Sequence, residues 1–185
     1  MRRPSLRAAG VPATLALAVL TAAAPAAAPA QEAGREGGDA SSVVGYHGRA
    51  DYDWTIRRLN GEPVELETFR GEVLFINLWA PWCPPCVREL RGIEELRRRV
   101  SDTDVRFLVV STEDRESVEE FLRRRQYDLP FYLELETVPA AFGKVGLPTT
   151  WVVDRRGRIV LTRHGAARWD RDPVASFLRS LAAGG

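Results

Sequence analysis

Short apolar runs alternate along this chain with stretches whose hydrophobic residues recur every three or four positions. Residues 73–78 (VLFINL) form a mostly apolar run bounded by Gly71 and Pro81, and residues 106–110 (RFLVV) form a second; both predict buried strands. Between them, from 84 to 100, the apolar positions fall at helical spacing, and Val118, Phe121 and Leu122 mark a second amphipathic helix. Residues 131–133 predict a short extra strand. Residues 149–153 and 158–162 flank Asp154-Arg155-Arg156-Gly157, a four-residue hairpin loop that ends in its glycine. Residues 54–59 and 64–66 flank Asn60-Gly61, a strong two-residue hairpin signal. Asp172-Pro173 is set to open a last helix, with aspartate as N-cap and proline at the first helical position. This order predicts an α/β fold: a central mixed sheet, helices on both faces and an N-terminal β-hairpin extension.

The pattern is different at the start. Arg2, Arg3 and Arg7 precede an apolar run over 11–24, and an alanine and proline tract follows to Ala30. This is the layout of a secretory signal, with cleavage expected after Ala30. An uncleaved anchor is the alternative, but the run is shorter than the roughly 20 apolar residues of a spanning helix. The Arg2-Arg3 pair hints at twin-arginine export, although Ser5 stands where that signal prefers an aromatic residue. Residues 31–49 are expected to be a flexible leader, rich in Gly, Ala, Glu, Asp and Ser up to Ser42. Residues 50–183 then form one domain, with no internal repeat.

At 185 residues, 45% hydrophobic and 28% charged, the chain has room for one well-filled core. Removing residues 1–30 takes away three arginines and no acids, which carries the formal net charge from +1 to −2. Nothing in that balance attracts nucleic acid. The arginine triplets at 97–99 and 123–125 are interleaved with Glu94, Glu95, Glu119 and Glu120, as on solvated helix faces.

The candidate chemistry lies in WAPWCPPC, residues 79–86, whose Cys83 and Cys86 are the only cysteines. As a structural staple the pair is poorly placed, since closing so short a loop stabilises by roughly 2 kcal/mol against nearly 5 for a hundred-residue loop. Zinc needs about four ligands, and only His47 and His164 are there to add. Copper is equally short of partners, because Met1 is the only methionine. A reversible dithiol fits better. The helix begins within the motif, so free backbone N–H groups and the positive end of the helix dipole face Cys83. Such a setting lowers a thiol from about 8.5 to about 7, worth roughly 2 kcal/mol of thiolate stabilisation. Pro84 suits the first helical turn, where its missing N–H costs little. Cys83 is then the attacking sulfur and Cys86, one turn inside, the shielded resolving one.

Counting 100° per residue from Cys86, the stripe of Leu90, Ile93, Leu96 and Val100 spans roughly 280° to 40°, and Glu89 falls near 300°. Arg97 also falls inside, near 20°, with a stem long enough to snorkel. A core-facing Glu89 would be desolvated, with a raised pKa, and would handle the proton on Cys86; an ordinary exposed helix glutamate is the other reading.

Residues 60–90 (NGEPVELETFRGEVLFINLWAPWCPPCVREL) and 145–160 (VGLPTTWVVDRRGRIV) resemble the TlpA/ResA-like extracytoplasmic thioredoxins, a branch of the redoxin-domain proteins. The resemblance implies a thioredoxin fold over most of 50–183 and a redox-active Cys83–Cys86 disulfide, with no other cofactor and no metal. It also implies a cis Leu147-Pro148 bond across from the sulfurs, with the Leu147 backbone pairing with an incoming peptide as an added strand. Trp82 and Pro84 would complete that substrate surface, with Asn77 and Trp79 as structural neighbours. Asn77 stands where cytoplasmic thioredoxins carry a buried aspartate, and the family places an acid at Glu89 instead. Leu90-Arg91 departs from the methionine or phenylalanine plus proline common after that glutamate.

Dedicated oxidases of this fold carry a helical insertion and a histidine inside the motif, and this chain has neither; reduction is the expected direction. By resemblance, electrons would come from a membrane thiol:disulfide interchange protein and pass to exported proteins such as apocytochrome c, in the periplasm or its equivalent. A peroxiredoxin is disfavoured because Ala80 stands where its threonine would be. A copper chaperone or binding module with an incidental CxxC remains the alternative.

Overall fold

The computed structural model describes residues 44–184. The expected signal segment and most of the expected leader lie outside them. Strands β1 (Val44–Arg49), β2 (Thr55–Arg58), β3 (Pro63–Glu65), β4 (Val73–Trp79), β5 (Val105–Ser111), β6 (Phe131–Glu134), β7 (Thr149–Val153) and β8 (Arg158–His164) form one sheet. Its order is β1-β8-β7-β4-β5-β6-β2-β3. The helices are α1 (Pro84–Arg99), α2 (Arg115–Arg124) and α3 (Asp172–Ala183).

The two apolar runs become the centre of the sheet. Strand β4 is buried at every position and pairs in parallel with β5 and antiparallel with β7. Alternation along β4 divides its side chains between two cores. Val73, Phe75 and Trp79 face one layer, together with Leu90, Ile93 and Leu96 of α1, Val118 and Phe121 of α2, and Val174 and Leu178 of α3. Leu74, Ile76 and Leu78 face the other, covered by Trp54, Leu66, Phe69, Val138 and Phe142. Helices lie on both faces, as expected, but unequally: α1, α2 and α3 all pack into the first layer, and the second is covered by the short 3-10 helices Leu66–Phe69 and Ala140–Phe142. The steps β4-α1-β5 and β5-α2-β6 advance in the same direction across parallel neighbours, and right-handed crossovers then place both helices on the same side.

Both predicted hairpins are present. Asn60-Gly61 lies between β2 and β3, with Gly61 at φ 98°, and β2 joins the sheet through β6. The 154–157 loop joins β7 to β8, with Gly157 at φ 73°. Two readings change. The last six residues of the expected 31–49 leader are strand β1, paired antiparallel with β8. Helix α3 is capped by Arg171, not Asp172; Asp172 is in its first turn and pairs with Arg99. Among the described residues no helix is long and apolar enough to cross a membrane.

Candidate active site

Strand β4 ends at Trp79, and a tight turn, in which the Cys83 N–H donates to Ala80 O at 3.1 Å, carries the chain into α1. Cys83 is the N-cap with extended backbone (φ −91°, ψ 101°), and the prolines follow in the first turn. Cys83 and Cys86 form a disulfide with an S–S distance of 2.05 Å. The Cys86 N–H donates to Cys83 Sγ at 3.3 Å, so the capping role falls to sulfur. Cys83 is 3% exposed and Cys86 0%, a narrower difference than an outer and a shielded sulfur suggested. The asymmetry between them lies in the backbone: an otherwise free helix N–H is aimed at Cys83.

The residues around the pair divide by exposure. Trp82 is 65% exposed and its Nε1 donates to Glu113 Oε1 at 2.6 Å, while Pro84 is exposed on the other side of Cys83. Trp79 is buried between Phe121 and Phe131, with ring centroids 5.1 and 5.3 Å away, and its Nε1 has no partner. Leu147-Pro148 is cis. Because Thr149 opposes Leu78 in the β4–β7 register, this bond lies at the end of the sheet from which the cysteine turn departs. Pro148 O accepts from Gly165 N at 2.8 Å, and Leu147 is half-buried against both cores.

Glu89 faces the core, as the helical phase predicts, and is 3% exposed. Its Oε1 accepts from Asn77 Nδ2 at 2.8 Å; its Oε2 accepts from the Ala167 amide at 3.0 Å and from Trp169 Nε1 at 2.9 Å. Asn77 also donates to Thr150 Oγ1 at 2.8 Å, and its own Oδ1 is buried without a partner. Asn77, Thr150 and Arg163 are direct cross-strand neighbours on β4, β7 and β8, a polar row in an otherwise apolar layer. Burial raises the Glu89 pKa above the usual carboxylate range; the donors from Trp169, Ala167 and Asn77 and the charge of Arg163 pull it part of the way back.

Sequence reasoning found both cysteines, Glu89 and Asn77 but missed Trp169, Ala167, Thr150 and Arg163. Ala167 and Trp169 lie in a polar loop, and Trp169 is 80 residues from the carboxylate it holds. The available signal was weak: one large aromatic in a segment rich in arginine and aspartate.

The chain is 26% identical over 117 residues to a Bacillus thuringiensis subsp. konkukian protein named thiol-disulfide oxidoreductase ResA, covering 61% of this chain and 66% of that one. It is 30% identical over 120 residues to a protein of the same name from Halalkalibacterium halodurans, covering 64% and 68%. The chain thus spans about two thirds of the length of these curated relatives. The solution structure of a thiol:disulfide interchange protein from a Bacteroides species shares the fold, with a TM-score of 0.63 at 20% identity over 78% of this chain and 93% of that one. The Redoxin family model matches residues 39–178, three quarters of the sequence, and the chain belongs to the Redoxin family.

Proposed function

We propose that the protein is a thiol-disulfide oxidoreductase that works as a reductase of exported proteins outside the cytoplasm. The observation that carries this reading is a disulfide whose N-cap sulfur accepts a backbone N–H, one turn before a buried carboxyl group on the same helix. In the reduced protein the same amide and the helix dipole favour a thiolate at Cys83. That thiolate attacks a partner disulfide, forming a mixed disulfide and releasing one partner thiolate. Cys86 then gives its proton to Glu89 and attacks Cys83 Sγ; the Cys83–partner bond breaks and the second partner sulfur leaves as a thiolate, protonated by solvent. The dithiol loses two electrons and two protons, and the partner disulfide gains them.

Trp82, Pro84 and the Leu147-Pro148 backbone form the docking surface in this reading, with a partner segment pairing at Leu147. The relatives' names support disulfide exchange in general. Apocytochrome c, with its own cysteine pair, is the target class proposed, and a membrane thiol:disulfide interchange protein the electron donor. The signal-like residues 1–30 would deliver the protein to that compartment, cut after Ala30. A reductase of this kind should have a potential nearer −270 than −120 mV, and a value at the oxidising end reverses the direction.

Trapping in the native compartment tests the reading. Cys86→Ser should freeze the mixed disulfide and capture a partner that reductant releases, whereas Cys83→Ser captures nothing. Equal capture by both variants, or by neither, would rule out Cys83 as the attacking sulfur.

A further inference from the structure

An ionised carboxylate offers about four in-plane acceptor sites, two on each oxygen. Three of those of Glu89 are filled. The Ala167 amide and Trp169 Nε1 both meet Oε2, and Asn77 Nδ2 alone meets Oε1. Oε2 is therefore saturated, and the open site is on Oε1.

The clamp on Oε2 is rigidly held. Trp169 is fully buried, edge-on to Phe75 with centroids 5.0 Å apart and planes at 87°. Its loop is fastened to α1, the helix that carries Glu89: Arg99 Nη1 donates to Asp170 O at 2.6 Å and the same guanidinium pairs with Asp172. The loop also lies against α1 at Gly92, three residues after Glu89, where a Cβ would be in ordinary van der Waals contact with Trp169 N at 3.5 Å and Asp170 N at 3.6 Å.

We infer that Trp169 is a positioning residue for disulfide exchange, its indole N–H and the Ala167 amide occupying Oε2 so that the proton of Cys86 is received at Oε1. This rests on the reading of Glu89 as proton acceptor. In the resolving step the Cys86 S–H bond breaks and an O–H bond forms at Oε1 as Cys86 Sγ displaces the partner from Cys83 Sγ. Cys86 stands one turn before Glu89 on the same helix. The groups acting on the Glu89 carboxyl are Asn77 on β4, the guanidinium of Arg163 on β8 and the two loop donors; of these, Arg163 carries a charge. Trp169 and Ala167 stabilise the ionised carboxylate against its burial, which keeps it able to accept a proton.

Trp169→Phe keeps a ring against Phe75 and deletes the N–H. Infrared titration of the Glu89 carboxyl should move to higher pH by about one unit, and the pH profile of mixed-disulfide resolution should follow it, roughly tenfold at fixed pH. In a Glu89→Gln background the same substitution should leave the profile where it was. A carboxyl titration that does not move overturns the clamp. One that moves while the profile stays put leaves the hydrogen bond standing but overturns both Glu89 as acceptor and Trp169 as its positioning residue. Should Trp169→Phe fail to fold, the unsubstituted protein gives a second measurement. The Trp169 indole proton, assigned through its contact with Phe75, should shift in step with Glu89 ionisation, and an invariant resonance overturns the inference.

Discussion

Glu89 shows how far a single residue can be read from its phase on a helix. Its place in the α1 stripe announced burial, and it is buried; the three donors that make burial tolerable come from β4 and the β8–α3 loop, which no local pattern could connect to it. The raised pKa has a consequence for stability with a definite sign. Glu89 is an acid whose folded pKa lies above its unfolded one, so its contribution is fully present below the unfolded value and is lost as pH rises through the folded value. Glu89→Gln cannot ionise. Its stability relative to the parent, measured by urea unfolding between pH 4 and 8, should therefore increase with pH, while mixed-disulfide resolution slows by about a hundredfold or more. A stability difference that stays constant across that range contradicts a raised pKa; an unchanged resolution rate contradicts the proton role.

Elements were legible where their determinants are local. The 154–157 hairpin is such a case, and its first residue explains its order. Asp154 is buried, and its Oδ1 accepts from the amides of Arg156 and Arg158 at 3.0 and 2.9 Å, while Oδ2 accepts from Arg158 Nε at 2.7 Å. Burial pushes its pKa up, but the Arg158 amide and guanidinium and the Arg156 amide outweigh that, and the net shift is downward. The stability it supplies is thus present above the unfolded pKa and lost as pH falls through the folded one. Asp154→Ala should cost about 2 kcal/mol at neutral pH and make the acid limb of the stability curve shallower, as read by chemical unfolding at pH 3 and pH 7. An equal loss at both pH values would mean that packing, not the carboxylate, holds the turn. Where an element's end depends on tertiary partners, local reading slipped. Asp172 has the composition of an N-cap, yet Arg99 draws it into an ion pair and the helix starts one residue earlier than expected for a cap there.

At the scale of the molecule, strand order and the sides taken by helices depend on pairings between distant segments, and these were the least legible features. Parallel neighbours β4, β5 and β6 put α1 and α2 on one face, and the opposite face is closed by the N-terminal hairpin region and the 138–142 segment. Strand β1 escaped notice for a related reason. Its sequence, VGYHGR, has two glycines and no apolar alternation, so only the open edge of β8 recruits it. The pairing Gly48↔Ile159 and Arg49↔Arg158, continued by the Ala50 N–H to Gly157 O at 2.9 Å, covers backbone groups of β8 that would otherwise be exposed. A chain that begins at Ala50 should therefore be less stable than one that begins at Ser42 by about 2 kcal/mol, melting roughly 5–10 °C lower. It should also associate more readily through the uncovered edge, visible as concentration-dependent light scattering. The disulfide lies on α1 beyond β4, with β7 and β8 between β4 and the uncovered edge, so exchange kinetics should match in the two chains. Equal melting temperatures would mean that β1 adds no net stability to the sheet it borders, and slower exchange would mean that the edge is coupled to the active site across β8 and β7.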